Sequence, residues 1–164
     1  MKAIVIGHTE KSQGAYSDYF QMHEWKFFNS FIGKLKEVGD VYFHNPKISS
    51  YRQRMKSTAN ELNKKNYDMV LCLHFNAFNG RASGTEVLCV SEKGAIIGTN
   101  FNAYMAKLGL KNRGVKKLNS NSRGYSEIFH PQAPAVILEP FFGDNPNDCK
   151  LFNIDKFIEA LKCL

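Results

Sequence analysis

The sequence lacks any apolar run near the roughly 20 residues that a membrane-spanning helix needs, and its opening segment, Met1 to Gly7, is too short for the apolar core of a signal peptide. We therefore expect a protein that is made in the cytoplasm without a signal peptide or a transmembrane segment. Internal repeats, low-complexity tracts and interdomain linkers are also missing. A chain of 164 residues has room for one ordinary domain, so we expect a single domain over residues 1–164.

The cysteines lack the C-x-x-C spacing that is typical of metal-binding and redox motifs. All of them lie within or beside apolar segments, at Cys72, Cys89, Cys149 and Cys163. Nothing in their spacing requires a disulfide. We therefore expect reduced, mostly buried thiols.

Basic residues outnumber acidic ones. The chain has 22 Lys and Arg residues and 15 Asp and Glu residues, for a formal net charge of +7. Such an excess favours an anionic partner but does not choose among nucleic acid, a membrane and an acidic polymer. The basic residues are scattered along the chain instead of forming one basic arm, which is typical of a solvated surface. We expect no specific nucleic-acid partner.

Short β-branched or apolar runs alternate with longer stretches of helical period, a pattern typical of an α/β domain. It predicts a roughly six-stranded, mostly parallel sheet flanked by helices on both faces. The predicted strands cover residues 2–7, 40–44, 69–74, 85–91, 115–118 and 135–139. The predicted helices cover residues 24–38, 50–66, 95–108 and 147–161, and residues 119–134 are expected to form an irregular loop.

Three side chains that could bind a metal or move a proton fall at the predicted carboxyl ends of strands, where ligands bind in open α/β sheets. His8 follows the first strand, His74 ends the third and Glu139 ends the last. A lone histidine in a loop is usually a surface or hydrogen-bonding residue. A glutamate that closes an apolar strand is harder to explain, because burying an unpaired carboxylate is costly. Together the three favour a metal site at one edge of the sheet.

A third protein ligand is needed, because a catalytic zinc typically takes three and leaves the fourth position for water. Glu24, in the first turn of the predicted helix 24–38, can point into the site from the segment after His8. Glu10 and His23, in the same stretch of the chain, are rival candidates. Spacing alone does not separate these three candidates.

Several segments, taken in order, resemble the zinc-dependent N-acetylmuramoyl-L-alanine amidases of bacterial wall-remodelling enzymes and phage endolysins. The matching segments are Ile4 to His8, His23-Glu24, Asp68 to Ala77, Gly84 to Glu86, Arg113 to Lys116, and Pro134 to Phe142 with Asn145 and Asp148 behind it. Any one of them alone would be a weak signal. The ordered set covers nearly the whole chain.

The resemblance implies that a zinc ion, Zn²⁺, is bound by three residues, His8, Glu24 and His74, and that Glu139 is the general base. It implies hydrolysis of the amide bond between N-acetylmuramic acid and L-alanine in peptidoglycan. Asn76 would orient a neighbouring group, contact the substrate or merely cap its loop, and Arg113 also fits the pattern of the family. Residues 9–13 depart from the small and acidic residues usual in the family, which affects the rim that would choose the stem peptide.

Two rival functions stay open at this stage. A zinc-dependent endopeptidase, carboxypeptidase or deacetylase would use the same chemistry on another bond. A non-enzymatic basic module that binds nucleic acid or wall polymer would need no zinc. If the resemblance holds, we expect peptidoglycan as substrate, electrostatic contact with anionic wall polymers, and action on the cell wall, after release through a pore if the protein is a phage lysis enzyme.

Overall fold

Strands and helices are interspersed along residues 1–164, all of which the computed structural model describes. The strands are β1 Lys2–Ile6, β2 Tyr16–Ser17, β3 Met22–His23, β4 Asp40–Phe43, β5 Met69–Leu73, β6 Thr85–Cys89, β7 Asn112–Lys117 and β8 Ala135–Glu139. The helices are α1 Glu24–Asn29, α2 Ile32–Lys36, α3 Tyr51–Leu62, α4 Glu92–Ala106, α5 Tyr125–Phe129, α6 Pro146–Leu151 and α7 Ile154–Cys163. None of the helices combines the length and the apolar composition needed to cross a membrane.

A six-stranded sheet in the order β4-β1-β5-β8-β6-β7 forms the centre of the fold. Every neighbouring pair is parallel except β6 and β8, which run antiparallel. The predicted mostly parallel α/β sheet is therefore confirmed. The central strands β5 and β8 are buried along almost their whole length, as expected for strands covered on both faces.

Alternate residues of the strands supply two separate cores, because successive side chains point to opposite faces of a sheet. On β1, Ile4 and Ile6 join a large cluster with side chains of α1, α4 and α7. Ala3 and Val5 join a smaller cluster that includes residues of α3 and α5. Helices thus cover both faces, as predicted. All four cysteines are free, and only Cys163 is exposed.

Two predicted helices are each divided in the structure. The predicted helix 24–38 is broken between α1 and α2, where the Ser30 hydroxyl donates to the Phe27 carbonyl at 2.6 Å and Phe31 leaves the helical region. Such a side-chain bond competes with the helical backbone pattern. The predicted helix 147–161 is broken at Phe152, which is extended, and the Asn153 side chain then caps α7 by accepting from a backbone N–H.

The expectation of an irregular loop over residues 119–134 was wrong in part, because α5 lies within it. The helix starts at Gly124, whose φ is +87°, and a Cβ atom there would come within 2.8 Å of Ile137 Cδ1. Glycine therefore allows both the turn and the close approach to β8. Helix α5 places two buried side chains, Glu127 and Ile128, against the sheet.

Candidate metal centre and active site

Three of the predicted site residues come together at the carboxyl edge of β1 and β5. His8 Nε2 lies 3.1 Å from Glu24 Oε2, and His74 Nδ1 lies 2.8 Å from Glu24 Oε1. One ligand atom from each residue lies within 4.8 Å of the others, close enough to hold one metal ion. Two imidazoles and one carboxylate form a donor set that fits zinc. We call these three residues the metal cluster.

The structure brings Glu24, rather than its two rivals, to the cluster. Glu10 is exposed, and the exposed His23 ring has its Nδ1 3.1 Å from the Gly14 carbonyl. The Glu24 carboxylate accepts from the backbone N–H groups of Ala15 and Phe75, both at 3.2 Å. These bonds hold the carboxylate between the two imidazoles.

The electrostatics of the metal cluster follow from the burial of opposite charges together. Burial alone would raise the pKa of Glu24, but the imidazoles of His74 and His8 outweigh it and lower the pKa to about 2. Burial alone would lower the pKa of His74, but the charge of Glu127 and hydrogen bonds to Glu127 and Glu24 raise it well above its usual value. A metal ion must therefore displace a proton to bind.

Two glycines make room for the metal cluster. A Cβ atom on Gly7 would lie 2.7 Å from His74 Nδ1 and closer still to two other atoms of that ring. A Cβ atom on Gly14, whose φ is +80°, would lie 2.6 Å from Glu24 Oε2. Between them, His8 itself has a φ of +65°, a conformation that costs a residue with a Cβ atom on the order of 1–3 kcal/mol.

Replacing Gly7 by alanine is expected to displace the His74 ring and weaken zinc binding by roughly 10–100-fold, the range seen when groups that orient a metal ligand are lost. Titration of zinc against a chromophoric chelator measures this. Gly33→Ala is the matched control, since a Cβ atom on Gly33, in α2, meets nothing within 4 Å. Equal zinc affinities of the two variants would show that the close packing does not position His74.

Glu139 lies on the same edge of the sheet, at the end of β8. Asn76 Nδ2 donates to Glu139 Oε2 at 2.7 Å, and the Asn76 backbone N–H donates to the Phe141 carbonyl at 3.0 Å. The Asn76 Oδ1 also accepts from the Ala77 N–H at 2.9 Å. Asn76 therefore orients Glu139 and caps its own loop as well.

Burial raises the pKa of Glu139 from 4.5 to about 7. The cation of His74 opposes the shift, and the charges of Glu86 and Glu24 add to it. A carboxylate with such a pKa can take up and release a proton near neutral pH, which is what a general base requires.

The raised pKa of Glu139 predicts a pH-dependent stability of the metal-free protein. Between pH 4.5 and about 7 the folded state binds more protons at this site than the unfolded state does, so this contribution to the free energy of unfolding falls as the pH rises. Glu139→Gln removes the penalty and should stabilise the metal-free protein at pH 8 by about 2–3 kcal/mol. Urea unfolding at pH 5 and pH 8 tests this, and an equal effect of the substitution at both pH values would contradict it.

Arg113 is brought to a neighbouring carboxylate and not to the metal cluster. Its Nε lies 3.2 Å from Glu86 Oε2, and Lys116 Nζ lies 2.6 Å from the same oxygen. Glu86 is buried and faces Glu139 across the β6–β8 pair. The Arg113 guanidinium also lies 5.0 Å from the centre of the Phe142 ring. Two cations thus pair with Glu86, the carboxylate that lies opposite Glu139 on the neighbouring strand β6.

Sequence reasoning missed Glu127 and His44. Glu127 Oε1 lies 3.1 Å from His74 Nε2 and 3.3 Å from His44 Nε2; the side chains of Glu127 and His44 are buried, and that of His74 is partly buried. Burial alone would raise the pKa of Glu127, but the charge of His74 and hydrogen bonds to both imidazoles lower it well below its usual value. His44 closes the second predicted strand, so the strand-end argument could have found it. Glu127 had no such signal, because its helix shows no apolar period.

Comparison with known proteins agrees with this architecture. The catalytic domain of an endolysin targeting Clostridium difficile has a TM-score of 0.78 and 24% identity, and the match covers 98% of this chain and 93% of that one. The catalytic domain of CwlV, an N-acetylmuramoyl-L-alanine amidase from Bacillus (Paenibacillus) polymyxa var. colistinus, has a TM-score of 0.73 and 21% identity over 99% of this chain and 94% of that one. The CwlD amidase of Clostridioides difficile, solved with the GerS lipoprotein, has a TM-score of 0.73 and 18% identity over 98% and 94%. At such identities the likeness shows the fold.

The family follows from the sequence as a whole. No curated protein matches the chain significantly. The model of the N-acetylmuramoyl-L-alanine amidase family, however, matches residues 3–162. The chain therefore belongs to this family of peptidoglycan hydrolases, and the resemblance seen in the ordered motifs is confirmed.

Proposed function

We propose that this protein is a zinc-dependent hydrolase that cuts the amide bond between N-acetylmuramic acid and the L-alanine of the stem peptide. The observation that carries the proposal is the metal cluster of His8, Glu24 and His74, on the same sheet edge as Glu139, a carboxylate whose pKa is raised to about 7. Membership of the amidase family supports the choice of bond.

The bound zinc and Glu139 have separate roles in the proposed reaction. When bound, zinc supplies Lewis acidity that polarises the amide carbonyl and lowers the pKa of water toward about 7. Glu139 accepts a proton from the attacking water and later gives a proton to the leaving amine of L-alanine. The water oxygen bonds to the lactyl carbonyl carbon as the carbon–nitrogen bond breaks, so the products are a muramic acid carboxylate and a free stem peptide.

Asn76 and the cations near Glu86 have supporting roles in this proposal. The hydrogen bond from Asn76 Nδ2 keeps the Glu139 carboxylate in one orientation, which preserves its alignment for proton transfer. Arg113 and Lys116 neutralise Glu86, so that a second buried charge does not face Glu139 unpaired. Arg113 would therefore act on catalysis through Glu86.

The proposal also includes contact with anionic wall polymers and a role in phage lysis. The net charge of +7 supports electrostatic contact with anionic wall polymers, and binding that weakens steeply with added salt would test it. A role in phage lysis is supported by the likeness in fold to the endolysin domain. Lysis of a bacterium only when the protein is produced together with a membrane pore would test that role and the expected site of action.

Digestion of purified peptidoglycan with and without a zinc chelator, followed by mass spectrometry, tests the function. We expect chelator-sensitive release of intact stem peptides with a new L-alanine amino terminus and glycan strands of unchanged length. An endopeptidase or carboxypeptidase would release other fragments, and a deacetylase would release acetate. Binding without products, insensitive to chelation, would instead favour the non-enzymatic basic module.

A further inference from the structure

A line of buried and partly buried hydrogen bonds runs from the metal cluster to the helix α3. His74 Nε2 lies 3.1 Å from Glu127 Oε1, and the same oxygen lies 3.3 Å from His44 Nε2. On its other side, His44 Nδ1 lies 2.8 Å from Thr58 Oγ1. His44, Thr58 and Glu127 are all buried. The line therefore connects three separate elements of the fold to one side of a metal ligand.

The chemistry of imidazole determines which nitrogen of His74 donates a hydrogen bond in this line and which can bind a metal ion. A neutral histidine carries one N–H donor and one nitrogen with a free lone pair. The Nδ1 of His74 faces Glu24 in the metal cluster, and its Nε2 faces Glu127. Because the Glu127 carboxylate can only accept, it keeps the hydrogen on Nε2 and leaves the Nδ1 lone pair for a metal ion.

We propose that Glu127 is a positioning residue for the metal centre: it fixes the tautomer and the ring orientation of His74, and it is itself held in place by His44. The inference rests on the proposed zinc-dependent function and adds a residue to it. Carboxylate partners of metal-binding histidines also make the ligand more basic. Loss of Glu127 should therefore weaken zinc binding although Glu127 does not face the metal cluster.

The surroundings of Glu127 favour the positioning role over a role in stabilising the fold alone. Besides the imidazoles, Glu127 lies near the thiol of Cys72, which belongs to an apolar cluster with Val5, Ile128 and Ile137. An apolar residue at position 127 would extend that cluster, and buried ion pairs are often no more stabilising than apolar residues of the same size. The carboxylate instead meets two imidazoles, one of which belongs to the metal cluster.

The test measures the zinc dissociation constant of the full chain by competition with a chromophoric chelator, after circular dichroism has established that each variant is folded. We expect the constant to rise about tenfold in Glu127→Gln, which keeps an acceptor but loses the charge, and toward about a hundredfold in Glu127→Ala. Substitution with Co²⁺ should give a visible absorption spectrum that differs between the unchanged protein and Glu127→Gln. The matched control is Asp148→Asn, because Asp148 is a buried carboxylate that accepts from the backbone of Gly84 and Phe142.

The possible outcomes distinguish failure of the proposed role of Glu127 from failure of the proposed zinc-dependent function. If the unchanged protein binds zinc and folded Glu127→Gln binds it equally well with the same Co²⁺ spectrum, the positioning role is wrong and the metal centre stands. An equal loss of affinity in Asp148→Asn would also overturn the role, because the loss would then reflect general destabilisation. If the unchanged protein does not bind zinc, both the metal centre and this inference are wrong.

Discussion

Glu139→Gln is expected to lower the rate of peptidoglycan hydrolysis by about a hundredfold or more while zinc still binds with unchanged stoichiometry. Glutamine has nearly the same shape and can still accept the hydrogen bond that Asn76 Nδ2 donates at 2.7 Å, so the site should stay assembled. It cannot take a proton from water. The loss should therefore appear in kcat, with little change in KM.

The measurement is the initial rate of stem-peptide release from a fixed amount of peptidoglycan, with bound zinc quantified in the same samples. Asn76→Ala is an informative companion, because it leaves the base present but without its orienting donor. We expect an intermediate loss of about tenfold, smaller than the roughly hundredfold or greater loss expected when the base itself is removed. A Glu139→Gln protein that hydrolysed peptidoglycan nearly as fast as the unchanged protein would remove Glu139 from the mechanism.

His74→Ala is expected to abolish stoichiometric zinc binding at micromolar metal and, with it, all measurable hydrolysis. His74 contributes Nδ1 to the metal cluster and also separates two buried carboxylates, Glu24 and Glu127. Without the imidazole both carboxylates lose a partner inside the fold. The metal-free variant should therefore lose about 3–5 kcal/mol of its free energy of unfolding, the usual result of removing one member of a buried ion pair.

Isothermal titration with zinc and urea unfolding of the metal-free protein measure the two effects separately. His23→Ala is the matched control, since His23 directly precedes Glu24 in sequence but is exposed and has its Nδ1 3.1 Å from the Gly14 carbonyl. We expect that control to bind zinc normally. Tight zinc binding by His74→Ala, or its loss in His23→Ala, would mean that the ligand set is assigned incorrectly.

The sequence allowed the sheet and three residues at its carboxyl edge, His8, His74 and Glu139, to be predicted, because both depend on local patterns. The nearly unbroken apolar runs of β5 and β8 are typical of central strands covered on both faces. His74 and Glu139 then follow at their carboxyl ends, and parallel strands bring such residues to one edge.

The remaining parts of the site depend on contacts that no local pattern encodes. Glu24 is selected over Glu10 and His23 by backbone donors from two distant segments, at Ala15 and Phe75. Glu127 belongs to a helix of five residues that begins at a glycine with positive φ, so it has no apolar period to reveal it. The break between α1 and α2 likewise falls at Phe31, within one continuous apolar period, so that period does not reveal it.

Hydrolysis in water enriched in ¹⁸O tests the central claim most directly. With zinc-loaded protein we predict one ¹⁸O atom in the lactyl carboxylate of muramic acid, none in the stem peptide that begins with L-alanine, and no reaction after chelation until zinc is restored. An ¹⁸O atom in a peptide carboxylate, or full activity of the metal-free protein, would contradict the assignment of a zinc-dependent N-acetylmuramoyl-L-alanine amidase.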